Sequence, residues 1–353
     1  MTKKTPLYDV HVELNGKIVE YAGYFLPIQY SSIIDEHQAV RNNVGLFDVS
    51  HMGQIFIEGK NALKFINLLV CNDMTNLQIN KIRYSPLLND NGGIIDDLLV
   101  YKLEDEKYML VVNASNKDKD YNWIISKQID DVIVKDLSDN IAQIAIQGPN
   151  SEKVMRKLTD NLPEKYYSFL SDVLINNVSI LISRTGYTGE DGYELYFDSD
   201  KAIEIYKLLL DAGKEYNITP CGLGCRDTLR LEASMPLYGH EMNENISPFD
   251  TGLERFVKME KEFFGKDSLK DNNKTRVGLK VIDKGIVRED SKIFVDDKEV
   301  GITTSGTFLP YLNGAYAMAI IDKDYSLIGS EVLCDVRNRK IKAEIVALPF
   351  YKR

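Results

Sequence analysis

Tyr84-Ser-Pro-Leu-Leu-Asn-Asp-Asn-Gly-Gly-Ile-Ile-Asp-Asp-Leu-Leu-Val-Tyr101 sets the architecture of this chain. Two apolar runs flank Asn89-Asp90-Asn91-Gly92-Gly93, and Asn and Gly tolerate the positive φ that tight hairpin turns require, so the stretch reads as a β-hairpin. A period of two in its second run puts Ile94, Asp96, Leu98 and Val100 on one face and Ile95, Asp97, Leu99 and Tyr101 on the other. Each face is apolar apart from one carboxylate. At least one of these acids therefore sits in a dehydrated place, where it must be neutralised, paired or given a task. Either Asp96 and Asp97 cap a loop or pair with Arg or Lys, or one of them faces a ligand.

Outward from the hairpin, antiparallel strands mix with helices, which predicts an α+β architecture rather than a doubly wound sheet. Upstream, His11-Val12-Glu13-Leu14 and Lys17-Ile18-Val19-Glu20 read as a hairpin turned at Asn15-Gly16. A helix capped by Ser31 or Ser32 should follow, with Ile33, Ile34, His37 and Val40 along its packing face and His37 at the edge. Asp48-Val-Ser-His51 breaks an apolar segment with polar groups that need partners, in the core or in a ligand. Downstream, residues 60–70 and 118–128 read as helices and 108–113 as a strand. Residues 173–184 form a second hairpin with an Asn-Asn turn. The loop Thr185-Gly-Tyr-Thr-Gly-Glu-Asp-Gly192 lets backbone pass close to something, and the strand leaving it sets Glu194 and Tyr196 on one face. A helix beginning near Gly224 carries Arg226, Asp227, Arg230 and Glu232. Beyond a polar divide at 270–274, short strands at 277–281, 292–295, 299–302, 315–320 and 340–346 predict a small all-β domain.

A length of 353 residues allows two to three domains with real cores, and 44% hydrophobic with 27% charged residues is ordinary globular composition. The net charge of −10 argues against a general nucleic-acid binder. No run approaches membrane-spanning length, so no membrane association and a cytoplasmic location are expected. The cysteines, Cys71, Cys221, Cys225 and Cys334, are scattered and read as reduced packing residues; the four histidines form no ligand-spaced pair, and no metal site is expected. The phosphate-cradling glycine motifs of nucleotide enzymes are absent.

In their order and spacing, several segments resemble the aminomethyltransferase, or T-protein, family of the glycine cleavage system. They are Thr5-Pro-Leu-Tyr8, Leu46-Phe-Asp-Val-Ser-His-Met52, Asn91-Gly-Gly-Ile-Ile-Asp-Asp-Leu98, Val111-Val-Asn113, Arg184-Thr-Gly-Tyr-Thr-Gly-Glu-Asp-Gly-Tyr-Glu194, Arg226-Asp-Thr-Leu-Arg-Leu-Glu-Ala233 and Pro349-Phe-Tyr351. The resemblance covers nearly the whole chain. It implies a three-domain cloverleaf around a central folate pocket: residues 1–275 form two intertwined α+β domains, and 276–353 a C-terminal barrel-like β domain. It also implies the reaction, in which the aminomethyl carbon on the lipoyl arm of H-protein passes to tetrahydrofolate, with no metal. Methylenetetrahydrofolate, ammonia and dihydrolipoyl H-protein are the products. Carried over, Asp97 corresponds to the catalytic carboxylate, Glu194 to the pterin-binding acid, Arg226 to a basic substrate contact and Tyr351 to a wall of the same pocket. Met52, Tyr84 and Asn113 correspond to further walls or hydrogen-bond partners. Cys225 stands where a small residue such as alanine is commoner.

Folate-dependent demethylases share this pattern, and so does a non-catalytic folate-binding relative whose Lys-Gly-Cys-Tyr loop is replaced here by Arg184-Thr-Gly-Tyr187. The basic tail of Arg337, Arg339, Lys340, Lys342, Lys352 and Arg353 is the expected docking surface for an acidic carrier.

Overall fold

The computed structural model describes residues 2–353, which group into two compact units. The first comprises residues up to 69, 73–85 and 98–226; the second comprises 70–72, 86–97 and 227–353.

The first unit is built on two main sheets between which the chain passes and returns. One sheet runs in the order Phe169–Ile175, Val178–Ser183, Gly192–Asp198, Ile141–Gln147, Val44–Asp48, Ile218–Pro220. The chain leaves it after Val44–Asp48 to enter the other sheet at Gly53–Glu58, which pairs with Lys107–Val112 and Ile133–Asp136, and comes back with Ile141–Gln147. The strands are apolar because both faces are covered: Ile141–Gln147 is buried from its second residue onward. Its core includes Leu46, Ile144, Ile146, Ile180, Leu195 and Tyr206.

The N-terminal segment departs from the hairpin expected there. Tyr8–Glu13 is a helix, and the hairpin lies later, Ile18–Tyr21 against Tyr24–Pro27, turning at Ala22 (φ 49°) and Gly23 (φ 78°). Leu7, Val10 and His11, spaced as one helical face, are all buried, and this periodicity overrides the Asn15-Gly16 turn signal, which ends the helix instead. Ser32 caps the helix Ile33–Asn42 by accepting from the Asp35 amide. Ile34 is exposed and His37 fully buried, so the packing face is rotated from the one expected.

The second unit centres on a closed barrel in the order Lys274–Val281, Gly314–Asp322, Lys298–Leu309, Lys292–Val295, Glu331–Val336, Arg339–Val346, with the last strand pairing to the first. Alternation decides which side chains fill it: along Arg339–Val346, Ile341, Ala343 and Ile345 point in while lysines and a glutamate point out. The strand Glu331–Val336 was not expected from sequence. Its turn to the next strand uses Arg337 and Asn338 at φ 53° and 64°, a conformation for which Arg gives no composition signal.

The opening hairpin is present as Ile82–Leu88 and Ile94–Glu104. Its tip belongs to the second unit, where the Ile94 amide lies 3.1 Å from both the Asn243 and Ile246 carbonyl oxygens. Gly93 is required there, since a Cβ would meet the Glu244 carbonyl oxygen at 1.8 Å. Ile94, Asp96, Leu98 and Val100 form a fully buried face, whereas Asp97 and Leu99 on the other are only half-buried.

Candidate functional site

Strand register in the first unit builds a polar patch on an apolar sheet. Glu194 lies opposite Ser183 on one side, and Tyr196, two residues on, lies opposite Gln143 on the other. Period-two geometry therefore puts Gln143, Ser183, Glu194 and Tyr196 on one face. Glu194 is 7% exposed, and its carboxylate accepts from Thr185 Oγ1 at 2.5 Å and Gln143 Nε2 at 3.2 Å. Both donors are neutral, and among the described residues no cation lies at hydrogen-bond distance from this buried carboxyl group, an arrangement that stability alone does not favour. Burial and the neighbouring Glu194 charge push the phenols of Tyr101 and Tyr196 well above their usual range, keeping both neutral.

Arg226 is half-buried on the helix Leu223–Glu232 with its guanidinium 4.8 Å from the Tyr187 ring centroid, and no acid pairs with it among the described residues. Among the described residues, Arg226 and Glu194 make no ion pair. The imidazole of His51 is 3% exposed and its Nδ1 has no hydrogen-bond partner. Burial first, and then the Arg226 charge, push it down to about 4 against an opposing pull from Asp48. Met52 and Asn113 flank the paired residues Gly53 and Val112 and are half-buried, as is Tyr84.

Asp48 has its partners inside the protein: Thr5 Oγ1 donates to Oδ2 at 2.6 Å, His11 Nε2 lies 2.8 Å from the same oxygen, and the Ser50 amide donates to Oδ1 at 2.9 Å. Burial raises this carboxyl, and the bonds together with the His11 charge outweigh it, holding Asp48 below the usual range. The glycine-rich loop passes close to Gln147, whose side chain a Cβ at Gly186 would meet at 2.0 Å and one at Gly192 at 2.4 Å. Gln147 Nε2 donates to the Thr185 carbonyl at 3.0 Å, so these glycines seat the loop that presents Thr185.

In the second unit, Asp96 is fully buried and Asp97 half-buried. Tyr351 is held by its own amide, which donates to the Glu232 carbonyl at 2.8 Å, and by an edge contact of its ring with Tyr311 at 5.4 Å. Arg230, 1% exposed, is clamped by Glu241 Oε2 at 3.0 Å, Asp227 at 2.8 Å and Ser305 Oγ at 2.8 Å, so it is a structural residue rather than an ion-paired surface group. Two lysines of the basic tail are already matched, Lys340 by Asp335 and Lys342 by Glu331, which reduces the free positive charge read from sequence.

One group could offer metal ligands among the described residues: Glu36, Cys221 and Cys225. Glu36 Oε1 accepts the Tyr30 and Ser31 amides at 2.6 and 3.0 Å, and Oε2 accepts the Gly222 amide at 2.8 Å, so this carboxylate works as a backbone clamp. Burial pushes the Cys225 thiol well up, and both thiols pack as small apolar groups.

Sequence reasoning passed over Gln143 as a partner of Glu194, and Tyr101 as a member of the hydrogen-bond network beside it. The signal was Ile141-Ala-Gln-Ile-Ala-Ile-Gln147, where two amides interrupt a strand that is otherwise apolar on both faces.

Residues 7–261 match the family described as GCVT N-terminal domain, and residues 274–352 match the glycine cleavage T-protein C-terminal barrel domain. The aminomethyltransferase of Thermosipho melanesiensis is 49% identical over 99% of this chain and 97% of its own length. That of Thermoanaerobacter pseudethanolicus is 45% identical over 99% and 98%. The crystal structure of glycine cleavage system aminomethyltransferase T from Bartonella henselae superposes with a TM-score of 0.91 at 31% identity, covering 100% of this chain and 99% of that one. An α+β unit with a buried, cation-free carboxylate and a closed β-barrel thus belong to an enzyme of the group-transfer class. The chain belongs to the aminomethyltransferase, or T-protein, family of the glycine cleavage system. No helix of the described residues is long and apolar enough to cross a membrane.

Proposed function

We propose that the chain transfers the aminomethyl carbon from the lipoyl arm of H-protein to tetrahydrofolate. The carbon–sulfur and carbon–ammonia bonds break, two folate nitrogens bond to the carbon, and ammonia and dihydrolipoyl H-protein leave. The observation that carries this reading is Glu194, buried and bonded only by neutral Thr185 and Gln143. A pterin edge offers paired N–H donors that suit such a carboxylate. Arg226, with no paired acid among the described residues, suits a ligand carboxylate.

Asp97 is the catalytic carboxylate in this proposal: a half-dehydrated anion stabilises iminium-like character at the transferred carbon and orients the attacking nitrogen. Tyr351, Met52, Tyr84 and Asn113 supply walls and polar contacts for the folate. We propose domains at 1–275, two interleaved α+β domains, and 276–353, the β domain; the return of the chain to its first sheet supports the interleaving. Four buried, unbridged cysteines support a reducing, cytoplasmic setting.

Glu194→Gln tests the reading. A charge-assisted hydrogen bond contributes about 1.5–3 kcal/mol, so tetrahydrofolate should bind roughly ten- to a hundredfold more weakly by calorimetry. Less than a twofold change contradicts the assignment.

A further inference from the structure

Glu194 and its neighbours close a ring of hydrogen bonds. Gln143 Nε2 donates to Glu194 Oε1 and to the Tyr196 hydroxyl, each at 3.2 Å. With its oxygen accepting there, Tyr196 donates to the Tyr101 hydroxyl at 2.9 Å, and Tyr101 donates to Ser183 Oγ at 3.2 Å. Ser183 then donates to Thr185 Oγ1 at 2.6 Å, and Thr185 closes the ring by donating to Glu194 Oε2 at 2.5 Å. Both arms end on the carboxylate, and Ser183 Oγ also lies 3.4 Å from the Glu194 backbone carbonyl oxygen. No member is more than 7% exposed.

Gln54, fully buried, donates from Nε2 to Gln143 Oε1 at 2.9 Å, in keeping with the Gln143 amide presenting its Nε2 to Glu194 and Tyr196.

We propose that Thr185 and Gln143 are positioning residues for the transfer reaction, each holding one oxygen of Glu194 so that the carboxylate meets its ligand with its outward lone pairs open. The inference rests on Glu194 as the pterin-binding acid and adds what holds it in that state. One lone pair on each oxygen is used internally, which leaves the second pair of each for a bidentate N–H partner.

The test is calorimetry of tetrahydrofolate on the full chain with Thr185→Val, Thr185→Ser, Glu194→Gln and the double variant Glu194→Gln/Thr185→Val. Thermal midpoints are recorded for each. Removing the Thr185 hydroxyl should weaken binding about tenfold, the size of one hydrogen bond to a charged group. Thr185→Ser should restore affinity to within about twofold, because it restores that bond. The double variant should bind no more weakly than Glu194→Gln, since Thr185 acts through Glu194. Unchanged affinity in Thr185→Val, or fully additive losses in the double variant, would each overturn the proposal while Glu194→Gln still weakens binding. If Glu194→Gln itself binds normally, the pterin assignment has failed, and the ring inference falls with it.

Discussion

His51 should make the stability of this protein fall with acidity by an amount that can be worked out. Its imidazole is fully enclosed, faces the rings of Tyr21 and Tyr24, and feels Arg226 and Asp48 as its charged neighbours. Burial and Arg226 take it from 6.5 down to about 4 in the folded chain. Between those values the unfolded chain binds a proton that the native chain refuses, so stability rises with pH across the window and is lost as pH falls from 6.5 toward 4. At about 1.4 kcal/mol per unit, the loss from this residue by pH 5 is about 2 kcal/mol. The perturbation is His51→Gln, which keeps a polar side chain without a titration. Urea unfolding at pH 7.5 and pH 5 should show the unmodified protein losing about 2 kcal/mol more than the variant between the two conditions. Equal losses would refute the reasoning. So would an NMR titration placing the His51 midpoint near that of a free imidazole.

Glu241→Ala should destabilise the second unit by about 3 kcal/mol, measured by chemical denaturation, because it removes the buried partner of Arg230, leaving only the more exposed Asp227, and the acceptor of Thr304 and Ser305. Arg230→Met in the same background should recover part of that loss, and a single variant within 1 kcal/mol of wild type would count against the clamp. Asp97→Asn should lower turnover on the order of a hundredfold at saturating folate, the loss of a charge that acts in the transition state. Asp96→Asn, on the fully buried face, should instead lower the thermal midpoint and leave most of the turnover of the folded fraction. Reversed outcomes would mean that the two faces of the hairpin have been exchanged.

The hairpin faces were legible because period two over Ile94 to Tyr101 leaves no alternative register, and the structure separates the buried Asp96 from the half-exposed Asp97 as that period requires. The barrel was legible for the same reason, strand by strand, except at Glu331–Val336, whose Arg337-Asn338 turn lacks the usual residue chemistry. At the N-terminus two local signals conflicted, and helical burial of Leu7, Val10 and His11 won over the Asn-Gly turn. The surroundings of Glu194 were not legible. Tyr101, Gln143 and Ser183 come from separate strands, and only the strand register and the packing of the sheets bring their side chains to one carboxylate.

The central claim is that the transferred carbon leaves the lipoyl sulfur and its amine together and is accepted by folate. The direct measurement is ammonia release from aminomethylated lipoyl H-protein, with and without tetrahydrofolate, alongside methylenetetrahydrofolate formation. The account predicts rapid ammonia release only with folate, one molecule for each methylenetetrahydrofolate formed. Ammonia release at the same rate without folate, or a methylated folate formed from a dimethylated sulfonium donor with no ammonia, would contradict it.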